Sequence, residues 1–175
     1  MKFCKVCGWA YQAWVTHKHL YDQNDKQADT LEKAVSFFNR LSTITHEYSL
    51  QQVSKLHDPA QQGDDLNVSI EFVVKYGEWG DKEAEVKKIA EKLAVLGKLL
   101  KPARNKILSH YDLNALLVNE ALGGFPEGED DIYFAALQEL VDEVHDRWVD
   151  GGPYPFDALC KNDVSEFLNV LERSK

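Results

Sequence analysis

The sequence predicts an all-α protein, a multi-helix up-down bundle of about six helices that forms a single domain over residues 1–175. Apolar residues recur at three- and four-residue steps along most of the chain, and alternating strand patterns are nearly absent. The 175 residues are 44% hydrophobic and 11% aromatic, which is enough to build a core and too much for a disordered chain. Short joints rich in glycine and proline separate the helical runs.

The first half of the chain predicts three helices. The first covers about residues 8–21, and a polar stretch over 22–30 follows it. Residues 31–56 predict one amphipathic helix of about seven turns, with Asp29 or Thr30 as its N-cap. His57-Asp58-Pro59 ends this helix, because the residue before a proline is disfavoured in helical geometry. Residues 61–66 predict a loop, and Asn67 or Ser69 caps a short helix that ends at Tyr76.

The second half predicts three more helical segments. A long run begins at Asp81 and buries Val86, Ile89, Leu93, Leu96 and Leu100 on one face. Pro102 predicts a kink or a restart near Lys101, after which residues 102–117 continue as helix. Residues 123–131 predict a loop and residues 132–149 a helix. After a Gly/Pro connector, Asn162 or Asp163 caps a last helix that runs to about Arg173.

Charge is unevenly distributed along a chain whose net charge is −9, a balance that argues against a protein that coats nucleic acid. Residues 82–111 carry a net charge of +5, whereas residues 112–175 carry −11. We therefore interpret residues 123–175 as an acidic helical extension of the same domain. The basic stretch is either a solvated helix face or a local site for phosphates.

The expected location is the cytoplasm. Three cysteines, no secretory signal and no run of apolar residues that would span a bilayer favour a reducing compartment without membrane attachment.

An arginine and a histidine flank the apolar stripe of the segment 102–117. At about 100° per residue, Arg104 lies about 60° to one side of Ile107 and His110 about 60° to the other. Both side chains then face the packed side of the helix, where they need partners. Either acidic residues of a neighbouring helix pair with them, or they line a cleft or subunit interface that binds phosphate and transfers protons.

This part of the chain resembles the HEPN superfamily, whose signature is R-x(4–6)-H on a late helix of an all-α domain. The string Arg104-Asn105-Lys106, followed by Ser109-His110-x-Asp112, is similar to the abortive-infection (Abi) branch of that superfamily, of the U type. In that branch, as at Asp58-Pro59, a long preceding helix ends near an Asp-Pro, and a polar loop and a short helix follow.

The resemblance implies a metal-independent endoribonuclease in phage defence or a toxin–antitoxin-like system, with no cofactor and with 2′,3′-cyclic phosphate ends as products. His110 would act as general base or acid, Arg104 would hold the scissile phosphate, and Asn105 would orient His110 or that phosphate. Lys101, Lys106 and Tyr111 are candidates for binding the RNA substrate. The protein would be a homodimer through the helix that carries Arg104 and His110, with an antitoxin as a further partner.

Other functional hypotheses remain open on the sequence. A non-catalytic HEPN-like dimer would use the same Arg–His pair to bind a nucleotide or a protein, and a small-molecule binder would use the aromatic region 125–156. Cys4 and Cys7 fit an ordinary pair of free thiols near a frayed terminus better than half of a zinc site with His17 and His19. Asp142-x-x-His145 lacks the second motif that a di-iron site requires, and a solvated face explains it better.

Overall fold

The protein is an all-α bundle, as the sequence predicts. We describe it from a computed structural model that covers residues 2–21, 25–108, 124–149, 151–156 and 159–173, with side chains at all of these except 25–27, 107–108 and 159–161. The seven α-helices of these residues are α1 (Lys2–Tyr21), α2 (Asp25–Glu32), α3 (Val35–Leu56), α4 (Ile70–Tyr76), α5 (Glu83–Ala103), α6 (Glu129–Val149) and α7 (Leu159–Arg173).

Three short elements join or extend these helices. Strands β1 (Gln61–Gln62) and β2 (Asp65–Leu66) form a two-stranded antiparallel hairpin, with Gln61 opposite Leu66 and Gln62 opposite Asp65. The residues of this hairpin were expected to form a loop. A 3₁₀ turn (Gly80–Lys82) precedes α5, and a π-helical turn (Arg104–Leu108) follows it.

The main core lies where α1, α3, α5 and α6 meet. The stripe expected on α5 is buried, and α6 contributes the largest set of fully buried side chains: Tyr133, Leu137, Leu140 and Val141. A second, smaller cluster of Leu20, Val164 and Leu168 attaches α7 to the end of α1. Helix α7 is thus packed against the end of α1.

The long helix expected over 31–56 is divided into α2 and α3. Lys33 and Ala34 form a turn between them, and Asp29 and Thr30, the expected N-caps, lie inside α2. In this turn the Lys33 ammonium donates to the carbonyl oxygens of Leu171 (2.7 Å) and Glu172 (3.3 Å) at the end of α7. A lysine at these carbonyls satisfies acceptors that a helix C-terminus leaves open.

The expectation of a frayed N-terminus was wrong. Helix α1 begins at Lys2 rather than near residue 8, and Cys4 and Cys7 are fully buried free thiols. Burial raises the pKa of both thiols, and it does so strongly for Cys7. These cysteines act as small core residues.

The remaining boundaries differ from the prediction by a turn or less. Ser69 caps α4 as expected, its hydroxyl accepting from the Phe72 N–H at 3.2 Å. Helix α6 begins at Glu129, since its acidic first turn is favourable at a helix N-terminus. Helix α7 begins at Leu159, so Asn162 and Asp163 lie within it rather than at its cap.

Within the part of the chain that the structure describes, no helix is both long enough and apolar enough to cross a membrane.

A close contact between α5 and the end of α3 generates the first testable prediction. A Cβ added at Gly97 would lie 2.5 Å from Nδ1 of His57, whose half-buried ring lies against α5 and Tyr133 of α6. Replacing a helix glycine by alanine ordinarily stabilises by about 1 kcal/mol. Here we expect Gly97→Ala to lower the free energy of unfolding by about 1–3 kcal/mol, because the ring must shift in a packed core.

Urea unfolding followed by far-ultraviolet circular dichroism measures this change. Gly124→Ala is the control, because its Cβ would meet nothing within 4 Å. A gain in stability for Gly97→Ala would contradict the close packing.

Candidate functional site

Arg104 is positioned by an irregular turn at the end of α5. Pro102 lies in the last turn of that helix and has no N–H to donate, so the regular ladder cannot continue unchanged. The chain widens into the π-helical turn Arg104–Leu108 directly afterwards, with Ala103 buried beneath it. The expected disturbance near Lys101 is therefore a π turn. Such turns are rare in proteins and are found frequently at functional sites.

The carboxylate of Asp58 pairs with the guanidinium of Arg104. Nη2 of Arg104 contacts Oδ1 of Asp58, and the two side chains are 33% and 23% exposed. The contact is an ion pair without an aligned hydrogen bond. Oδ1 of Asp58 is itself buried, although the side chain as a whole is partly exposed. Asp58 is held there because α3 ends at Leu56 and Pro59 prevents its continuation, while the Asp58 N–H donates to the Lys55 carbonyl at 3.2 Å.

His57 lies beside this pair and is held in the neutral form. Its Nε2 is 3.0 Å from the hydroxyl of Tyr133 in α6, and its ring rests on Gly97. Burial, together with the nearby positive charge of Arg104, lowers the pKa of His57 to about 4. Burial also raises the pKa of Tyr133 well above its usual value, so the phenol stays protonated and shares a hydrogen bond with Nε2 of His57.

The other predicted site residues of this turn are placed differently. Asn105 and Lys101 are exposed, and Lys106 is half-buried. His110 and Tyr111 lie outside the residues that the structure describes. The structure thus brings Arg104, Asp58 and His57 together and places three polar side chains of the motif within one turn of Arg104.

The site residues that sequence reasoning missed are Asp58, His57 and Tyr133. His57-Asp58-Pro59 was recognised as the end of a helix, and an acidic partner for Arg104 was expected on a neighbouring helix. The resemblance used Asp58-Pro59 only as a marker for the end of the long preceding helix and did not assign Asp58 as the partner of Arg104. The Tyr133 contact has no signal in the sequence, because it depends on how α6 packs.

The arrangement can present a positive charge to an anion. A guanidinium has several N–H donors, and Asp58 engages one end of the Arg104 group. With a third of its side chain exposed, Arg104 retains donors for a phosphate, to which arginine binds in a bidentate manner. Neutral His57 adds no competing charge.

The alternative metal sites have structural explanations. Among the described residues, no group of three or more His, Cys, Asp or Glu side chains is placed to hold a metal ion. Asp142 accepts from Gln138 and from the Tyr154 N–H, both at 2.8 Å, and His145 Nδ1 is 2.6 Å from the Gly152 carbonyl oxygen. These two side chains hold the connector 151–156 against α6.

Part of the aromatic region 125–156 and one side of α1 together line a separate open cavity of about 480 Å³. Tyr11, Trp14, Phe134 and Phe156 line it, with Lys18 and Asp131 at its edge. Lys18 is already engaged by Asp130 and Asp131, at 2.7 and 3.0 Å. Lys18, Gln138 and Asp142, which also line this cavity, form hydrogen bonds or ion pairs with other residues of the chain.

The pKa of His57 predicts how stability changes with pH. Because the folded pKa is about 4 and the ordinary value 6.5, unfolding at intermediate pH is accompanied by proton uptake. The stability contributed by neutral His57 is complete above pH 6.5 and is lost as the pH falls from 6.5 towards 4. We expect the urea midpoint to fall over this range and to fall less in His57→Gln.

The comparison is made between the two proteins at matched pH, since other groups titrate as well. The Asp130 carboxylate is one of them. Burial opposes its ionisation, but hydrogen bonds from Lys18 and Trp14 lower its pKa below the ordinary 3.8. The stability that this carboxylate contributes is therefore lost only at lower pH than that of His57. Equal slopes between pH 6.5 and 4 in the two proteins would contradict a His57 that is neutral in the folded state.

Comparison with known proteins bears on both the fold and the motif. The family model HEPN_AbiU2, described as AbiU2, matches residues 2–173. No curated protein and no solved structure matches the chain. The match extends over nearly the whole chain, and so includes Asp58-Pro59, the Arg104 turn and the acidic C-terminal helix. The chain therefore belongs to the HEPN_AbiU2 family of the HEPN superfamily.

Proposed function

We propose that this protein is a metal-independent endoribonuclease acting in the cytoplasm, in phage defence or in a toxin–antitoxin-like system. The observation that carries the proposal is the Arg104 turn, where an arginine side chain one third exposed is paired with Asp58 in a chain that matches the HEPN_AbiU2 family. Asn105, Lys106 and Lys101 lie within one turn and are suited to contact RNA phosphates.

The proposed reaction is an internal transfer at one phosphodiester. His110 takes the proton of the ribose 2′-OH, and the 2′-oxygen then bonds to phosphorus while the bond from phosphorus to the 5′-oxygen breaks. The leaving 5′-oxygen takes up a proton from protonated His110 or from water, and the products are a 2′,3′-cyclic phosphate and a 5′-OH. Arg104 stabilises the charge that develops on the phosphoryl oxygens. Tyr111 is proposed as a further contact to the substrate.

A homodimer that pairs two motifs through the Arg104–His110 helix belongs to this proposal, as does an antitoxin partner. Pairing would bring a second Arg–His set to the RNA and enlarge a small basic surface. The acidic remainder of the chain repels RNA elsewhere, which favours targets recognised by shape at this one surface.

The second candidate is a non-catalytic module that binds a nucleotide or a protein. Its supporting observation is the same ion pair, because an arginine already neutralised by Asp58 needs no substrate to satisfy it. The two candidates differ in whether RNA is cut.

Cleavage of total RNA and of tRNA in EDTA tests the proposal. We expect the wild-type protein to cut and leave cyclic phosphate ends, and we expect His110→Ala and Arg104→Ala to lose at least 100-fold in rate, the scale of general acid–base and electrostatic contributions. Arg173→Ala, at an exposed arginine of α7, is the matched control and should cut normally. No cutting by wild-type protein, or equal cutting by His110→Ala, would favour the binding module.

Asp58 is proposed as a positioning residue for Arg104. We expect Asp58→Asn to lower kcat about tenfold or more, because the guanidinium loses its anchor and even small displacements are costly. KM should not rise, since the variant removes a negative charge near the phosphate. A smaller folded fraction would also lower the apparent kcat without raising KM, so rates are normalised to the folded fraction measured by circular dichroism, and Asp58→Asn should keep its kcat loss after this correction.

Steady-state kinetics on a short RNA measures this split. Asp65→Asn changes an exposed aspartate of the hairpin and serves as the control. A raised KM with unchanged kcat in Asp58→Asn would contradict the positioning role.

A further inference from the structure

Helix α3 carries an apolar stripe on the side that faces away from the core. Its members, which we call the outer face of α3, are Phe37, Leu41, Ile44 and Tyr48. Phe37, Ile44 and Tyr48 are 51%, 61% and 40% exposed, and Leu41 is half-buried. The core side of the same helix is formed by other residues: Phe38, Leu50, Val53 and Leu56.

The spacing of the outer face is that of a coiled-coil seam. Its residues are separated by four, three and four positions, which is the a/d pattern of a heptad. Helix α3 already packs against the core through its buried side. The second apolar seam is therefore not needed for packing within this chain. Trp9 of α1 extends the outer face, being 54% exposed and donating from Nε1 to the Tyr48 hydroxyl at 2.7 Å.

Two opposite charges border this seam on one side. Arg40 and Glu47 are both exposed and lie seven residues apart, at equivalent heptad positions that precede Leu41 and Tyr48. Within the described part of the chain, neither forms an ion pair. Charges at such flanking positions set the partner and the orientation in paired helices.

An antiparallel copy of α3 would match all of these features at once. In one register Leu41 packs against the partner's Ile44 and Phe37 against the partner's Tyr48, and the two-fold axis repeats both layers. The same register places Arg40 opposite the partner's Glu47, twice. In a parallel pair the flanking partners would instead be Thr45 and Gln52, which are uncharged.

We propose that the outer face of α3 is the binding surface for a second copy of this chain, which pairs antiparallel through Leu41, Ile44, Phe37 and Tyr48 and through reciprocal Arg40–Glu47 contacts. Such an interface is isologous, because one patch meets itself across a two-fold axis. It needs no other protein to complete it.

This surface is separate from the pairing of motifs proposed above. Asp58 and its partner Arg104 lie just past the C-terminal end of α3, on the order of 23 Å from the centre of the paired segment at 1.5 Å per residue. Antiparallel pairing therefore carries the two Arg104 turns to opposite ends of the dimer. If both surfaces are used, the assembly has two kinds of two-fold interface.

Light scattering after size-exclusion chromatography of the full chain tests the proposal. Wild-type protein should form dimers at or below a protein concentration of about 100 µM, because a dissociation constant above this value would not indicate a specific interface. Ile44→Lys should halve the mass, whereas Ile132→Lys should not. Ile132 is the matched control, because it is 57% exposed on α6 and Ile44 is 61% exposed on α3.

Charge reversal tests the register. Arg40→Glu and Glu47→Arg should each weaken association at least tenfold, and the double variant should return to within about threefold of wild type, as expected for charges that meet across the interface. Because Arg40 and Glu47 are exposed, these variants should fold normally, and circular dichroism checks that they do. A monomeric wild type, an unchanged mass in Ile44→Lys or a double variant as weak as the single ones would overturn the proposal.

Discussion

The ion pair between Arg104 and Asp58 joins the C-terminal ends of α3 and α5, and the rest of the candidate site is arranged around it. Helix α3 must end at Leu56 for Asp58 to turn inwards, and α5 must widen after Pro102 for Arg104 to meet it. His57 is then confined between Gly97 and Tyr133, where the charge of Arg104 helps to keep it neutral. Pro59 after α3 and Pro102 in the last turn of α5 thus determine how Asp58 and Arg104 meet.

The helices were predictable from the sequence where one face alone is apolar. The stripe of α5 and the Ser69 cap of α4 follow from periodicity and from side-chain chemistry. The division between α2 and α3 was not predictable, because no glycine or proline marks it and the turn is favoured by the contact of Lys33 with the distant end of α7. Periodicity also misjudged α3, since it has two apolar faces and only one of them is buried.

The candidate site was predictable at Arg104 and only in part beyond it. A local motif identifies residues that are close in sequence, and the helical spacing of Arg104 and its neighbours was sufficient for that. Asp58 and Tyr133 reach the site through packing of α3 and α6, which a single sequence does not encode in any local pattern. The neutral state of His57 likewise depends on burial, which is a property of the assembled bundle.

The seating of the His57 ring on Gly97 has a consequence for how this sequence can vary. Two positions forty residues apart share one volume, so neither can be chosen independently of the other. A larger residue at 97 is compatible with the fold only when position 57 becomes smaller, and that exchange also removes the hydrogen-bond partner of Tyr133. Natural variation at these three positions should therefore be concerted, with histidine, glycine and tyrosine retained or replaced as a set.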